Sequence, residues 1–226
     1  MTLSDKLDKI LIQGGSWKTI LGGLWVTIQI SALALLIGTL LGALICLLRT
    51  RENPIARGFA SVYIAVLRGT PVLMLLRLLY YGVFARAGLA SVMVAVITFA
   101  LNVSAHVAEL LRSALEAADR GQAEAARTLG FSAWDTFRLI TLPQVLRIAK
   151  PVYQSTIVNL IQWTSVVGYV TITDLTRVIN NTASRTMQPL LTIIIGMLIY
   201  LALSYLIFGI FALSDRIKAK RRGAAA

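Results

Sequence analysis

The sequence has little of the chemistry that most enzymes and metal proteins use. It contains one cysteine, Cys46, and one histidine, His106, in 226 residues. A lone cysteine excludes an intrachain disulfide, and one histidine without an H-E-x-x-H pattern argues against a metal site built by this chain alone. The phosphate-binding pattern G-x-x-x-x-G-K-[ST] is also absent, so the chain carries no P-loop of its own. We therefore expect this chain itself to bind no cofactor.

Acidic residues are scarce, and charge is missing from several long stretches. Lys and Arg number 22 against 10 Asp and Glu, a formal net charge of +12, while 57% of the residues are hydrophobic. In a soluble protein such a balance would suggest nucleic acid. Here the basic residues cluster at the ends of apolar runs, which membrane topology and anionic lipid explain better. The composition therefore predicts a membrane protein without a nucleic-acid partner.

Five apolar runs are long enough to cross a bilayer, for which about 20 residues suffice. They predict an all-α polytopic membrane protein with five transmembrane helices. The transmembrane domain would cover residues 19–215, with an amphipathic surface helix in residues 1–18 and a basic tail in residues 216–226. The predicted runs are 19–48, 57–84, 87–108, 151–173 and 186–214.

One water-compatible stretch, residues 120–143, lies between the third and fourth apolar runs and is called the docking segment below. Its first part, 122–129, is rich in Ala and predicts a short helix with a face of small side chains. Gly130 follows, where a helix end favours a left-handed residue. A projecting helix with such a corner suits docking against another surface.

A second helix is predicted after this corner. Ser132 and Asp135 have the spacing of a capping box, and Pro143 is expected to end or redirect the helix that they start. An ordinary amphipathic loop helix with a glycine stop would share these features.

The docking segment also resembles the EAA signature of permease subunits of bacterial ATP-binding-cassette (ABC) importers. The match has two halves at a fixed spacing, Glu124-Ala125-Ala126 with Gly130, then Ile140-Thr141-Leu142-Pro143. In that family this loop is a coupling helix that fits a groove on the cytoplasmic ATPase. The resemblance therefore implies a coupling role for Glu124, Ala125, Ala126, Gly130, Leu142 and Pro143.

Polar residues inside the second and third runs are candidates for a substrate pathway. Arg68 and Thr70 stand in the tetrapeptide Arg68-Gly69-Thr70-Pro71, which resembles the amino-acid branch of the importer permeases. A charge at that depth is costly and usually functional. Arg68 could equally satisfy carbonyls freed by a kink at Pro71.

His106 lies in the third run, where a packed, hydrogen-bonded side chain is the more usual role. Glu109 and Arg112, which follow it, have the spacing of a local ion pair.

The fourth run carries the densest polar cluster, Gln162, Trp163, Thr164 and Ser165. Polar residues this dense suggest a helix that faces a cavity near mid-span. The family pattern here is similar to Lys, then an acid or Asn, then Thr-Ser. This chain keeps Thr-Ser and lacks the Lys and the acid, so the family's way of holding a substrate ammonium does not carry over. Asp174-Leu175-Thr176-Arg177 resembles the family's [ED]LTR element, in a polar connection that reaches Gln188.

Loop charges predict the orientation. The loop at 49–57, the segment 112–150 and the tail carry 14 basic residues, against 6 on the other side. The positive-inside rule then places the amino terminus outside and the carboxyl terminus, with the docking segment, in the cytoplasm.

The resemblance implies one permease subunit of a polar amino-acid ABC importer in a bacterial inner membrane. Its implied partners are a second permease, identical or paralogous, a dimer of ATP-binding subunits that use ATP and Mg²⁺, and a periplasmic or extracellular substrate-binding protein. An ion-gradient-driven transporter or channel fits less well, because no internal repeat is visible and no acid lies in the middle of an uncharged run. A membrane-embedded enzyme lacks a nucleophile–base pair. The sequence leaves open which amino acid is carried and whether this subunit's own pocket binds it.

Overall fold

The computed structural model describes residues 2–223, apart from the side chains at positions 3, 14 and 218–223. Every regular element in that range is helical, in agreement with the all-α prediction. Short 3₁₀ stretches lie at Gln13–Gly15 and Thr164–Val170, and wider π-helical turns lie at Leu78–Val83 and Phe137–Thr141. The α-helices are α1 (Leu3–Leu11), α2 (Ser16–Thr50), α3 (Pro54–Gly69), α4 (Val72–Arg77), α5 (Ser91–Glu116), α6 (Arg120–Thr128), α7 (Ala133–Thr136), α8 (Leu142–Trp163), α9 (Leu175–Thr186) and α10 (Pro189–Gly223).

Three of the described helices are long and apolar enough to cross a membrane, judged by length and composition: Ser16–Thr50, Ser91–Glu116 and the part of α10 up to Ile217. The broken pair Pro54–Gly69 and Val72–Val83 adds a fourth if it is counted as one crossing. The predicted fourth run, 151–173, is divided between the end of α8 and a 3₁₀ stretch. The count of five crossings is therefore not confirmed and stays a prediction.

The second predicted run is interrupted at Pro71. Helix α3 ends at Gly69, and Thr70 has extended backbone angles (φ −96°, ψ 130°). A residue before proline is pushed out of the helical region by the proline ring, which accounts for the break. A new helix then starts at Val72.

The carbonyls freed by this break find other donors. Pro71 has no N–H to give to the carbonyl of Leu67, and the buried side-chain amide of Asn102 donates to that oxygen instead (3.0 Å). The Thr70 hydroxyl donates to the carbonyl of Val66 (2.7 Å). The idea that Arg68 satisfies these carbonyls is wrong.

Pro143 does not end the second helix of the docking segment. Helix α7 continues through the turn Phe137–Thr141 into α8, where Pro143 is the second residue. In this turn the N–H of Leu142 donates to the carbonyl of Phe137, five residues back. The hydrogen-bond ladder is therefore already shifted where Pro143 contributes no N–H.

The chain forms two compact units. The first contains the chain up to Leu35, the range Val72–Phe99 and the chain from Ile157 onward. One of its apolar clusters has Ile20, Leu175, Val178 and Ile179 at its centre, with Leu11, Leu24, Ile199 and Tyr200 packed around it.

Two stretches of the first unit differ from expectation. The predicted polar connection after Asp174 is largely the helix α9. The predicted surface helix α1 forms, but Ile10 is fully buried and Leu11 packs on the α9 cluster. At least part of its apolar side is thus used inside the protein.

The second unit comprises Leu36–Pro71 and Ala100–Thr156. Two apolar clusters fill it, one around Ile45, Ile64 and Ala108 and the other around Leu110, Val145 and Ala149. The second cluster joins the end of α5 to the start of α8. The docking segment emerges between these two helices and is positioned by them.

Candidate functional site

The first helix of the docking segment is fixed at its start by two residues that sequence reasoning missed. Asp119 caps α6 by accepting the N–H of Gly121 (2.9 Å). Gln144 accepts the N–H of Asp119 (3.1 Å) and donates to the side chain of Gln122 (2.9 Å). An Asp just before a helix is a readable capping signal. The role of Gln144 depends on tertiary contact and has no local signal.

Gly130 forms the corner that the sequence predicted. Its φ is +89°, which is in the left-handed region. The N–H of Gly130 donates to the carbonyl of Arg127 (3.1 Å), and the N–H of Phe131 donates to that of Ala126 (3.1 Å). These two bonds form a Schellman motif, which satisfies the last carbonyls of α6. The prediction of a glycine-dependent helix end is confirmed.

Ser132 caps the next helix, as predicted. The N–H of Asp135 donates to the Ser132 hydroxyl oxygen (3.1 Å), and the hydroxyl in turn bonds to the Asp135 carboxylate. The capping fixes the direction in which the chain leaves the corner. The rings of Trp134 and Phe137 follow with their centroids 6.0 Å apart.

The exposed apolar surface of the docking segment lies after α6 and was not predicted. Leu129 is 79% exposed, Trp134 65% and Phe131 40%. Leu139 (57%) and Phe137 (37%) are also exposed further along the segment. The three residues at the corner are the part of this apolar surface that lies next to Gly130.

The EAA residues themselves have mixed exposure. Glu124 and Ala125 are exposed, whereas Ala126 is buried and packs inside the segment. Leu142 is half-buried and Pro143 is exposed. The small-residue face is thus narrower than predicted.

The candidate pathway residues fall into both units. Arg68, Thr70 and His106 belong to the second unit, where Arg68 is exposed and the other two are half-buried. The predicted ion pair is present there, with Arg112 Nη2 at 2.7 Å from Glu109 Oε1, and Arg112 also pairs with Glu116.

The cluster predicted on the fourth run belongs to the first unit, and its members differ in access. Thr164 is fully buried and its hydroxyl donates to the carbonyl of Ile161 (2.6 Å). Trp163 is half-buried. Gln162 is exposed and lines a cavity of about 340 Å³, whereas Ser165 lines a second one of about 470 Å³. Two of the four predicted residues therefore reach cavities.

Helix α9 forms a wall of both cavities. Thr176 and Asn180, one helical turn apart, line each of them, and Arg177 lines the second. Asp174 caps α9 by accepting the N–H groups of Thr176 (3.0 Å) and Arg177 (3.1 Å). Burial raises the pKa of the Asp174 carboxyl, and these backbone donors oppose the rise. Arg177 was noticed in the sequence only as part of a motif, and Asn180 was missed.

A polar contact and a close approach hold this end of α9 against α2. The N–H of Leu175 donates to the hydroxyl of Thr27 (3.3 Å). A Cβ on Gly23 would lie 2.8 Å from the carbonyl oxygen of Asp174, so only glycine permits this spacing. Gly23 and Thr27 of α2 thus determine how closely the start of α9, which lines both cavities, approaches α2.

Comparison with known proteins identifies a family profile over most of the chain. The profile described as binding-protein-dependent transport system inner membrane component matches residues 19–219. A probable amino-acid ABC transporter permease protein, YckA of Bacillus subtilis strain 168, is 35% identical over 83% of this chain and 84% of its own length. The histidine/lysine/arginine/ornithine transport system permease protein HisM of Salmonella typhimurium is 28% identical over 88% of this chain and 93% of its own.

Two solved structures of ABC transporters are also similar to this chain. The crystal structure of an amino acid ABC transporter with histidines has a chain that is 31% identical, with a TM-score of 0.79 over 88% of this chain and 94% of that chain. The inward-facing MetNI methionine ABC transporter is 18% identical, with a TM-score of 0.72 over 92% and 99%, and supports the fold alone.

Proposed function

Because this chain belongs to the family of binding-protein-dependent transport system inner membrane components, we propose that it carries a polar amino acid across the membrane. It is a membrane-embedded permease subunit of an ABC importer, and its role is transport. The amino-acid assignment draws on relatives whose names state amino-acid transport and on the 31% identical structure.

The observation that carries the coupling proposal is the geometry of the docking segment. A capped helix, a left-handed Gly130 and a second capped helix present Leu129, Phe131 and Trp134 outward. Exposed aromatic and aliphatic side chains on a rigid corner are typical anchors of a protein–protein contact. The partner at this corner is an ATP-binding subunit, which supplies ATP and Mg²⁺ chemistry that this chain does not carry.

The proposed mechanism is alternating access. Closure of an ATPase dimer on ATP moves the docking segment, and that movement reaches the membrane helices through α5 and α8, which hold the segment between them. Glu124, Ala125, Gly130 and Pro143 are the exposed EAA residues in this contact, and Ala126 and Leu142 support it from inside. A second permease and an extracytoplasmic binding protein complete the importer.

The test is purification followed by transport. A tagged chain, expressed with its neighbouring transport genes, should bring down an ATPase, and vesicles with the complete importer should take up amino acids in an ATP-dependent manner. Trp134→Ala should weaken ATPase recovery more than Leu36→Ala, which removes an equally exposed apolar side chain from α2. Uptake without ATP, driven by an ion gradient, would contradict the proposal.

A further inference from the structure

A third cavity of the first unit, of about 500 Å³, lies between the start of α2 and helix α9 and is called the α2–α9 cavity below. Two glycines and two valines form its apolar lining. Arg185 is the charged residue among the described residues that line it, and none of them is acidic. The cavity is therefore cationic. Its polar lining consists of Thr19, Thr173, Asn181, Thr182 and Arg185.

Arg185 is oriented by residues at the start of α2. Its Nη2 donates to the carbonyl of Gln13 (3.4 Å) and to the hydroxyl of Ser16. Nε and Nη1, which carry the remaining N–H donors, make no hydrogen bond to the part of the chain that the structure describes. Within that part the ion pairs are those of Arg112, and Arg185 takes part in none. An oriented guanidinium with spare donors favours an oxyanion ligand.

The α2–α9 cavity lies at the level of the lipid headgroups. Helix α2 has 35 residues, about 52 Å at 1.5 Å per residue, whereas a bilayer with its headgroups is about 40–45 Å thick. The helix therefore extends beyond the hydrocarbon core. The exposed Trp17 and Trp25 stand near the two ends of the cavity-lining stretch from Thr19 to Val26. Because tryptophan is enriched at the membrane–water interface, this stretch is placed among the headgroups.

The cavity is open on an exposed face of α2. Lys18, Gly22 and Trp25 are exposed and are spaced four and three residues apart, so they share this face. A Cβ on Gly22 would meet no atom within 4 Å. The Lys18 ammonium lies 5.4 Å from the ring centroid of Trp17, which adds a second cation beside the opening. A ligand that enters over Gly22 thus passes between two cationic side chains.

We propose that the α2–α9 cavity binds an anionic phospholipid whose headgroup carries no amine, as in phosphatidylglycerol. Arg185 binds the phosphodiester, Thr19 and Asn181 bond to the headgroup hydroxyls, and the acyl chains lie along the exposed Leu21 and Ile28. The ammonium of a zwitterionic headgroup would face like charges without an acidic partner, so such a lipid is disfavoured. This site does not depend on which solute the importer carries.

Native mass spectrometry of the purified permease–ATPase complex in a non-ionic detergent tests the site. The complex is titrated with phosphatidylglycerol or phosphatidylcholine of identical acyl chains, and the dissociation constant of the first bound lipid is measured. Phosphatidylglycerol should bind at least about fivefold more tightly. Equal or tighter binding of phosphatidylcholine would overturn the proposal.

Inorganic phosphate distinguishes a lipid site from a site for a free anion. Phosphate in large excess should not displace phosphatidylglycerol, because the buried acyl chains supply much of the binding free energy of a lipid. Displacement by phosphate alone would overturn the proposal.

Arg185→Gln tests the phosphodiester contact. It should weaken phosphatidylglycerol binding about tenfold or more and abolish the preference over phosphatidylcholine, because a charge-assisted hydrogen bond is lost. Arg86→Gln, which removes an exposed cation of the same unit outside the cavity, should change neither. If Arg185→Gln weakens both lipids equally, Arg185 only holds α9 to the start of α2, and the assignment is overturned.

Gly22→Leu fills the opening without a change of charge. The side chain has open space, so the protein should fold, and phosphatidylglycerol binding should fall about tenfold. Gly58→Leu, at another glycine with open space, should leave this binding unchanged. Normal binding by the Gly22 variant would place the lipid elsewhere. If the Gly22 and Arg185 variants keep the lipid but lose stimulation of the ATPase by the binding protein, the cavity docks that protein, and the proposal is overturned.

Discussion

At the scale of single residues, Asn102 replaces a hydrogen bond that Pro71 removes. Its amide is buried and donates to the carbonyl of Leu67, which is the group that a residue other than proline at position 71 would bond. The Asn102 side-chain oxygen has no hydrogen-bond partner among the described residues. Leaving one acceptor unpaired is thus tolerated here in order to satisfy the backbone of α3.

Asn102→Leu should lower the free energy of unfolding of the purified complex by about 1 kcal/mol, because the Leu67 carbonyl loses its donor. In a Pro71→Ala background the same change should cost less, because an alanine at this position can supply its own N–H. Denaturant titrations in one detergent measure all four proteins of this cycle. If Asn102→Leu lowers the free energy of unfolding equally with Pro71 in place and in the Pro71→Ala background, the Asn102 amide does not stand in for the missing N–H of Pro71.

Gly130 is a second position where one residue determines local structure. A Cβ there would meet no atom within 4 Å, so the cost of a side chain comes from the backbone, at about 1–2 kcal/mol for the left-handed conformation. Gly130→Val should insert normally but lose the ATPase on purification, or keep it and fail to link hydrolysis to uptake.

The matched control for this prediction is Gly58→Val. Gly58 also has open space around its Cβ position, but its φ is not positive. ATPase activity in vesicles, with and without substrate and binding protein, is the measurement. Normal substrate-stimulated hydrolysis and uptake by the Gly130 variant would contradict the coupling role.

At the scale of elements, the packing of α2 on α5 depends on two glycines. Gly38 and Gly42 are four residues apart, and a Cβ on either would lie 2.7–2.8 Å from atoms of α5, including the carbonyl oxygens of Ala100 and Ser104. Small residues at this spacing let helix backbones approach closely in a membrane, where dispersion contacts replace the hydrophobic effect. Sequence reasoning overlooked this pair within the first apolar run.

Gly42→Ala should therefore lower the free energy of unfolding by about 1–3 kcal/mol through overpacking. Gly22→Ala, in the same helix, should leave it unchanged or raise it by up to about 1 kcal/mol, because nothing lies near that Cβ and alanine favours a helix. Thermal unfolding of the purified complex compares the two. The prediction is wrong if both variants shift in the same direction by the same amount.

At the scale of the whole molecule, the charge count predicts an odd number of crossings. If the broken pair Pro54–Gly69 and Val72–Val83 is one crossing, the candidate spans number four and would leave both termini on one side. A terminus on each side then requires that α8 with its 3₁₀ extension crosses as well, although this stretch is not among the helices that are apolar enough by themselves. Its polar residues at the cavities explain the low apolarity, because a span that faces an internal recess need not be apolar all round.

Reporter fusions test this topology. A cytoplasmic reporter should be active when fused after Arg222 or inserted at Phe131 in the docking segment, and inactive when inserted at Ser184 in α9. Activity at both Phe131 and Ser184 would mean that α8 does not cross. Inactivity after Arg222 would overturn the predicted orientation itself.

The sequence alone determined the features that depend on local chemistry. The apolar runs predicted the helical membrane fold. Gly130 predicted a left-handed helix end and Ser132 predicted a helix cap. The spacing of the EAA signature indicated the family. Each of these signals lies within a few residues along the chain, where propensity, capping and charge act directly. The end of a helix at Pro143 was predicted wrongly. A proline interrupts a helix because it has no N–H for the regular hydrogen bond, and the π-helical turn before Pro143 has already shifted that bonding pattern.

The tertiary structure alone decided which side chains meet. Asn102 bonds to Leu67 and Gln144 bonds to Asp119 across long separations in sequence. The burial of Ala126, and the access of Thr176 and Asn180 to two cavities, depend on which face of each helix is covered. An amide or a guanidinium has the same local signal whether it faces lipid, protein or a cavity. Only the packing of helices fixes its environment, and the environment determines what that group can bind.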